Sequence, residues 1–97
     1  VVLTSHALAY VWDRRADFVA ELARLSSTRP VWWVSQEFYK AGLETVLPGR
    51  DDLYSGDSAE SEPAMAVLGL TTWIDGKPEA RALARTAPHG QRMTWLP

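Results

Sequence analysis

The sequence predicts an α/β fold: a parallel strand–helix–strand unit followed by antiparallel strands. Three observations predict it. Val1-Val2-Leu3 and Val31-Trp32-Trp33-Val34 are short apolar runs, each running out into polar residues, Thr4-Ser5-His6 and Ser35-Gln36-Glu37. Residues 13–25, between them, have helical periodicity. After residue 63 a third apolar, β-branched run meets the turn signal Asp75-Gly76-Lys77-Pro78. Two apolar strands joined through a helix run parallel, because a tight hairpin cannot connect them.

Taken in order, the first strand, residues 1–5, is too uniformly apolar to alternate, as expected of a strand covered on both faces. The helix begins with Asp13 as N-cap, whose carboxylate can accept an orphan backbone N–H. Phe18, Val19, Leu22 and Leu25 fall at i, i+1, i+4 and i+7 and form one apolar stripe, while Glu21 and Arg24 pair on the surface. Ser26-Ser27-Thr28 weakens the helix and Pro30 stops it. In the second strand, residues 31–36, Trp32 and Trp33 point to opposite faces, so both faces are expected to be buried.

Residues 38–63 read as a linker. Phe38 to Leu43 can hold a short helix, ended by Pro48-Gly49, and residues 50–62 read as a long, acidic, mobile loop. Residues 64–74 read as the third strand. Residues 79–87 have helix propensity, but the preceding turn and the break at Pro88-His89-Gly90 favour an antiparallel strand, with Arg81 and Arg85 on one face. Gln91 to Leu96 closes the chain as a short strand with Met93 and Trp95 on one face. The 97 residues therefore form one partial domain: 1–37 the strand–helix–strand unit, 38–63 the linker, 64–97 the antiparallel strands.

A net charge of −2 indicates neither nucleic acid nor an anionic membrane as partner. The absence of cysteine excludes disulfides and thiolate metal sites. No apolar run approaches the roughly 20 residues that cross a bilayer, so a cytoplasmic protein is expected. The chain opens directly on Val1-Val2-Leu3, as expected of the C-terminal part of a longer protein cut before a central strand. Such a strand lacks a neighbour, so the fragment is expected to self-associate through it.

Thr4 to Val11, the helix after it and Pro30 to Glu37 resemble the second half of a class I S-adenosylmethionine methyltransferase fold. The chain's end, Leu83-Ala84-Arg85, Pro88-His89-Gly90 and Met93-Thr94-Trp95-Leu96, resembles a bacterial family, domain-of-unknown-function family 2332, with the same layout. The resemblance implies the C-terminal half of a Rossmann-like, methyltransferase-like sheet, closed by an antiparallel hairpin or meander. It implies S-adenosylmethionine as cofactor of the full-length protein only. The glycine-containing cofactor loop would lie upstream, and no G-x-G-x-x-G is present here, so no cofactor is expected for the fragment.

Ligands in open α/β sheets sit beyond the carboxyl ends of parallel strands. Here those ends carry His6 and Glu37, the candidate catalytic pair. A carboxylate beside an imidazole orients it and raises its pKa toward neutral-pH acid–base work. Ser5, Ser35, Trp12 and His89 are candidates for the substrate side of the cleft, facing a small molecule. No spacing of His and carboxylates indicates a metal. Ser5 lacks the G-x-S-x-G elbow of α/β hydrolases. Two function classes stay open: half of a methyltransferase-like domain, and a non-enzymatic α/β binding or assembly module.

Overall fold

A computed structural model describes residues 1–5, 7–53, 66–86 and 93–96, with backbone only at 9, 10 and 12. Five strands form one sheet: β1 (Val2–Ser5), β2 (Val31–Glu37), β3 (Ala66–Ile74), β4 (Lys77–Thr86) and β5 (Met93–Trp95). Their spatial order is their sequence order. β1 and β2 are parallel; every later pair is antiparallel. The strand–helix–strand unit and the meander are therefore both present, and residues 77–86 are strand.

Two short 3-10 turns, Leu8–Arg14, broken by the non-helical backbone of Val11, lead from β1 into helix α1 (Arg15–Leu25). This corrects the expected start. Arg14 is the N-cap and no side chain caps the helix, so Asp13 lies inside the 3-10 segment. At the other end Ser26, 2% exposed, fixes the exit. Its hydroxyl donates to the Ala23 carbonyl at 2.6 Å and accepts the Gly76 N–H at 2.7 Å. The helix end is thereby tied to the β3–β4 turn. That turn uses Asp75 and Gly76 at φ 51° and 79°, the double left-handed conformation that suits a tight hairpin.

Both apolar clusters lie on one face of the sheet; on the other, Ala66, Ala84 and Thr86 are buried where β3 pairs with the end of β4. Trp33 is the centre of the first cluster: Phe18 of α1 meets it edge-on at 5.5 Å, and Trp73 stacks beside it at 6.0 Å. The indole Nε1 donates to Thr4 Oγ1 at 3.0 Å, which satisfies the buried N–H and ties β2 to β1. Leu22, Leu8 and Ala41 complete the buried part of this cluster. Leu25, expected in the helix stripe, is instead 45% exposed, because the stripe turns away from the sheet by the last turn.

A second cluster lies farther along the same face, where Tyr39, Leu43 and Leu53 pack on Val67, Ala80 and Ala82. The segment read as linker thus covers half the sheet. It is pinned internally: the Tyr39 hydroxyl donates to the Leu47 carbonyl and accepts the Arg50 N–H. A 3-10 turn, Leu43–Thr45, replaces the expected short helix. A further turn, Asp51–Leu53, buries Leu53 at the start of the expected loop; residues 54–62 of that loop lie outside the described residues.

The second face is less covered than expected. Leu3, Trp32 and Ile74 are 73%, 43% and 57% exposed. Among the described residues no helix packs there, so burial of both tryptophans on opposite faces does not occur. One further correction comes from the β3–β4 register. Gly69 pairs with Ala82 but Leu68 with Ala84, a bulge that inserts Leu83. It reverses the side-chain alternation, so Arg81 pairs with Leu70 on the open face and Arg85 with Val67 on the covered one. Arg85 there donates to the Asp52 carbonyl.

Candidate functional site

The carboxyl ends of β1 and β2 form one rim. Thr4 pairs with Ser35 and Ser5 with Gln36, so the polar tips of the two parallel strands lie side by side. Glu37 ends β2 at this rim and is 1% exposed. Its Oε1 accepts the Leu8 N–H at 3.1 Å and its Oε2 accepts the Ala7 N–H at 3.3 Å. Those two N–H groups belong to the chain leaving β1, where the first 3-10 turn has no carbonyl of its own to offer them. Both carboxyl oxygens therefore hold the backbone directly after position 6.

Gly42 makes this geometry possible. A Cβ on Gly42 would stand 2.8 Å from the Glu37 Cβ and 3.0 Å from its Cγ. The Phe38–Leu43 turn, closed by Ala41 and Gly42 N–H groups donating to the Phe38 carbonyl at 2.9 and 3.1 Å, presses directly onto the Glu37 side chain. On the other side of β2, Gln36 Nε2 donates to Thr86 Oγ1 at 3.2 Å, bridging the rim from β2 to β4.

The other candidates are placed as follows. Ser5 is exposed at the tip of β1. Ser35 is 1% exposed on the covered face, and its hydroxyl has no partner among the described residues. Trp12 lies on the backbone of the 3-10 segment. His6 and His89 lie outside the described residues. The structure thus brings Ser5, Gln36 and Glu37 to one rim and sets Glu37 on the turn that follows His6. Gly42 and the Ala7 and Leu8 N–H groups were not foreseen. A glycine five residues after a strand-end carboxyl is their one sequence signal.

A family model described as "Uncharacterized protein conserved in bacteria (DUF2332)" matches residues 1–95. The chain belongs to this family. No curated protein and no solved structure matches it.

Elsewhere in this DUF2332 chain, a groove of about 520 Å³ runs between α1 and the hairpin turn. Val19, Ala23, Val46, Trp73 and Pro78 line it together with the polar Asp13, Arg15 and Thr45. Among the described residues no cluster of His, Cys, Asp or Glu has the makings of a metal site. Among them, too, no helix is long and apolar enough to cross a membrane. On the covering segment Arg50 and Asp52 form a surface ion pair, bidentate at 2.9 Å for each bond. That bond holds the Asp52 carboxyl below its ordinary range and the Arg50 guanidinium above its own, against slight desolvation of each.

Proposed function

We propose that this DUF2332 chain is the C-terminal half of a Rossmann-like, methyltransferase-like α/β domain, with its sheet continued beyond β1. One observation carries the reading: β1, a parallel strand, stands at the edge of the sheet with Leu3 73% exposed. All-parallel sheets are covered on both faces, so the outer edge of β1 and the bare face at Leu3 support a sheet that continues there with further strands and covering helices. The rim formed by Ser5, Gln36 and Glu37 then becomes one wall of a cleft for a small molecule, with S-adenosylmethionine as the cofactor of the completed domain.

In this reading Glu37 is a positioning residue. Its two bonds to the Ala7 and Leu8 N–H groups set the path of the chain directly after His6, the residue that the sequence offers for acid–base work. The test is made on the gene's complete product. Titration calorimetry with S-adenosylmethionine is expected to give a heat of binding that the 97-residue chain lacks, and amides of β1 are expected to exchange more slowly in the complete product. Absence of both effects rejects the reading.

A second reading, a non-enzymatic assembly module, is favoured by the make-up of β1 itself. Val2–Ser5 carries no charge, proline or bulge, the devices that ordinarily stop an edge strand from pairing. Sedimentation of the chain across a concentration series tests it: a mass that rises with concentration supports self-association through this edge.

A further inference from the structure

Ser35 and Thr71 are buried at 1% and 0% exposure, and neither hydroxyl has a hydrogen-bond partner among the described residues. The register makes them neighbours. Ser35 pairs with Gly69 and Thr71 with Trp33, so the two side chains stand diagonally across β2 and β3 on the covered face. Diagonal neighbours in an antiparallel pair are about 7–8 Å apart at the backbone, too far for two short hydroxyls to meet directly, yet close to the span of one bridging water.

Gly69 sets the direction. A Cβ on it would stand 3.0 Å from Ser35 Oγ and 2.9 Å from a Leu43 methyl. The Ser35 hydroxyl therefore lies over the bare glycine backbone, toward β3, with Leu43 closing the space above. An isolated buried hydroxyl is costly, and natural interiors satisfy such groups with ordered water, about one for every 27 residues.

We propose that Ser35 Oγ and Thr71 Oγ1 together hold one internal water molecule. It lies between the two apolar clusters, the Trp33 cluster and the Leu43 cluster, as a polar stitch where they meet. This assignment stands apart from the rim and from any cofactor.

The test combines unfolding equilibria with oxygen-17 relaxation dispersion of the solvent, which counts waters of long residence. The variants are Ser35→Ala, Thr71→Val and the two combined. With a shared water, each single change strands the remaining hydroxyl and lowers the folding constant about tenfold, whereas the double change costs no more than either. The dispersion then falls by one water in Thr71→Val and is kept in Thr71→Ser, which retains the hydroxyl and folds under the mildest change. Single variants that are unchanged or stabilised, with additive effects, overturn the proposal. So does a dispersion amplitude that is the same in Thr71→Val as in Thr71→Ser.

Discussion

At the scale of single residues, Glu37 shows how one buried side chain determines a local path. Its carboxyl accepts two backbone N–H groups that no secondary structure satisfies. Glu37→Ala strands the buried Leu8 N–H and the half-buried Ala7 N–H, and leaves a gap beneath Gly42. Stability is expected to fall by about 2–4 kcal/mol, read as a lower urea midpoint, with the amides of Ala7 and Leu8 losing protection from exchange. A loss below about 0.5 kcal/mol would mean that water replaces the carboxyl without cost. Asp52 is the opposite kind of residue. Its bidentate bond to Arg50 lowers its pKa from 3.8, but both groups face solvent. Because the folded value lies below the unfolded one, the contribution is complete above pH 3.8 and is lost as pH falls through the lower, folded value. Comparing Asp52→Asn with the parent chain, the difference in urea midpoint is expected to be slight at about pH 6 and to vanish by about pH 2, since exposed pairs are screened. A difference that grows on acidification would contradict that sign.

At the scale of elements, half of the covering layer was invisible to periodicity. Tyr39 and Leu43 are four apart, a helical spacing, but Gly42 and Pro48-Gly49 interrupt it and Leu53 lies ten residues further on, so the segment as a whole reads as linker. What they fit is a trough of small residues drawn from three strands: Ser35 on β2, Gly69 and Thr71 on β3, Ala80 and Ala82 on β4. Smallness at five scattered positions becomes a surface only when the strands are in register, and no local pattern records it. Leu43→Ala is expected to cost about 2–4 kcal/mol, because its methyl groups close over Gly69 and nothing flexible stands ready to refill the space. Calorimetry showing the segment to melt alone, ahead of the sheet, would mean that it is not part of the core. By contrast, the parallel pair, the Asp75-Gly76 hairpin and the strand character of Glu79 onward were legible, since apolar runs and turn residues are local signals. The bulge at Leu83 was not, and it alone moved Arg85 to the other face. For the rim, the sequence located Glu37 at a strand end, but its partners are main-chain groups, which every residue carries and no side chain announces.

At the scale of the whole molecule, the sheet is asymmetric: one face carries both apolar clusters and the other shows Leu3, Trp32 and Ile74 to solvent. Its two outer strands are unequal as well. β5 has three residues, all exposed, and is too short to template a partner; β1 offers four with an uncharged outer edge. Pairing of β1 with β1 of another copy closes on itself about a two-fold axis, whereas pairing of β1 with β5 would leave an edge at each end and propagate. If the edge drives self-association, Leu3→Lys places a charge on each copy at the contact and is expected to shift sedimentation toward monomer. Ile74→Lys lies on the same open face but two strands away, and is expected to leave the distribution unchanged. The reverse pattern, with Ile74→Lys dispersing the assembly and Leu3→Lys ineffective, would assign association to the open face and leave β1 free to accept a further strand.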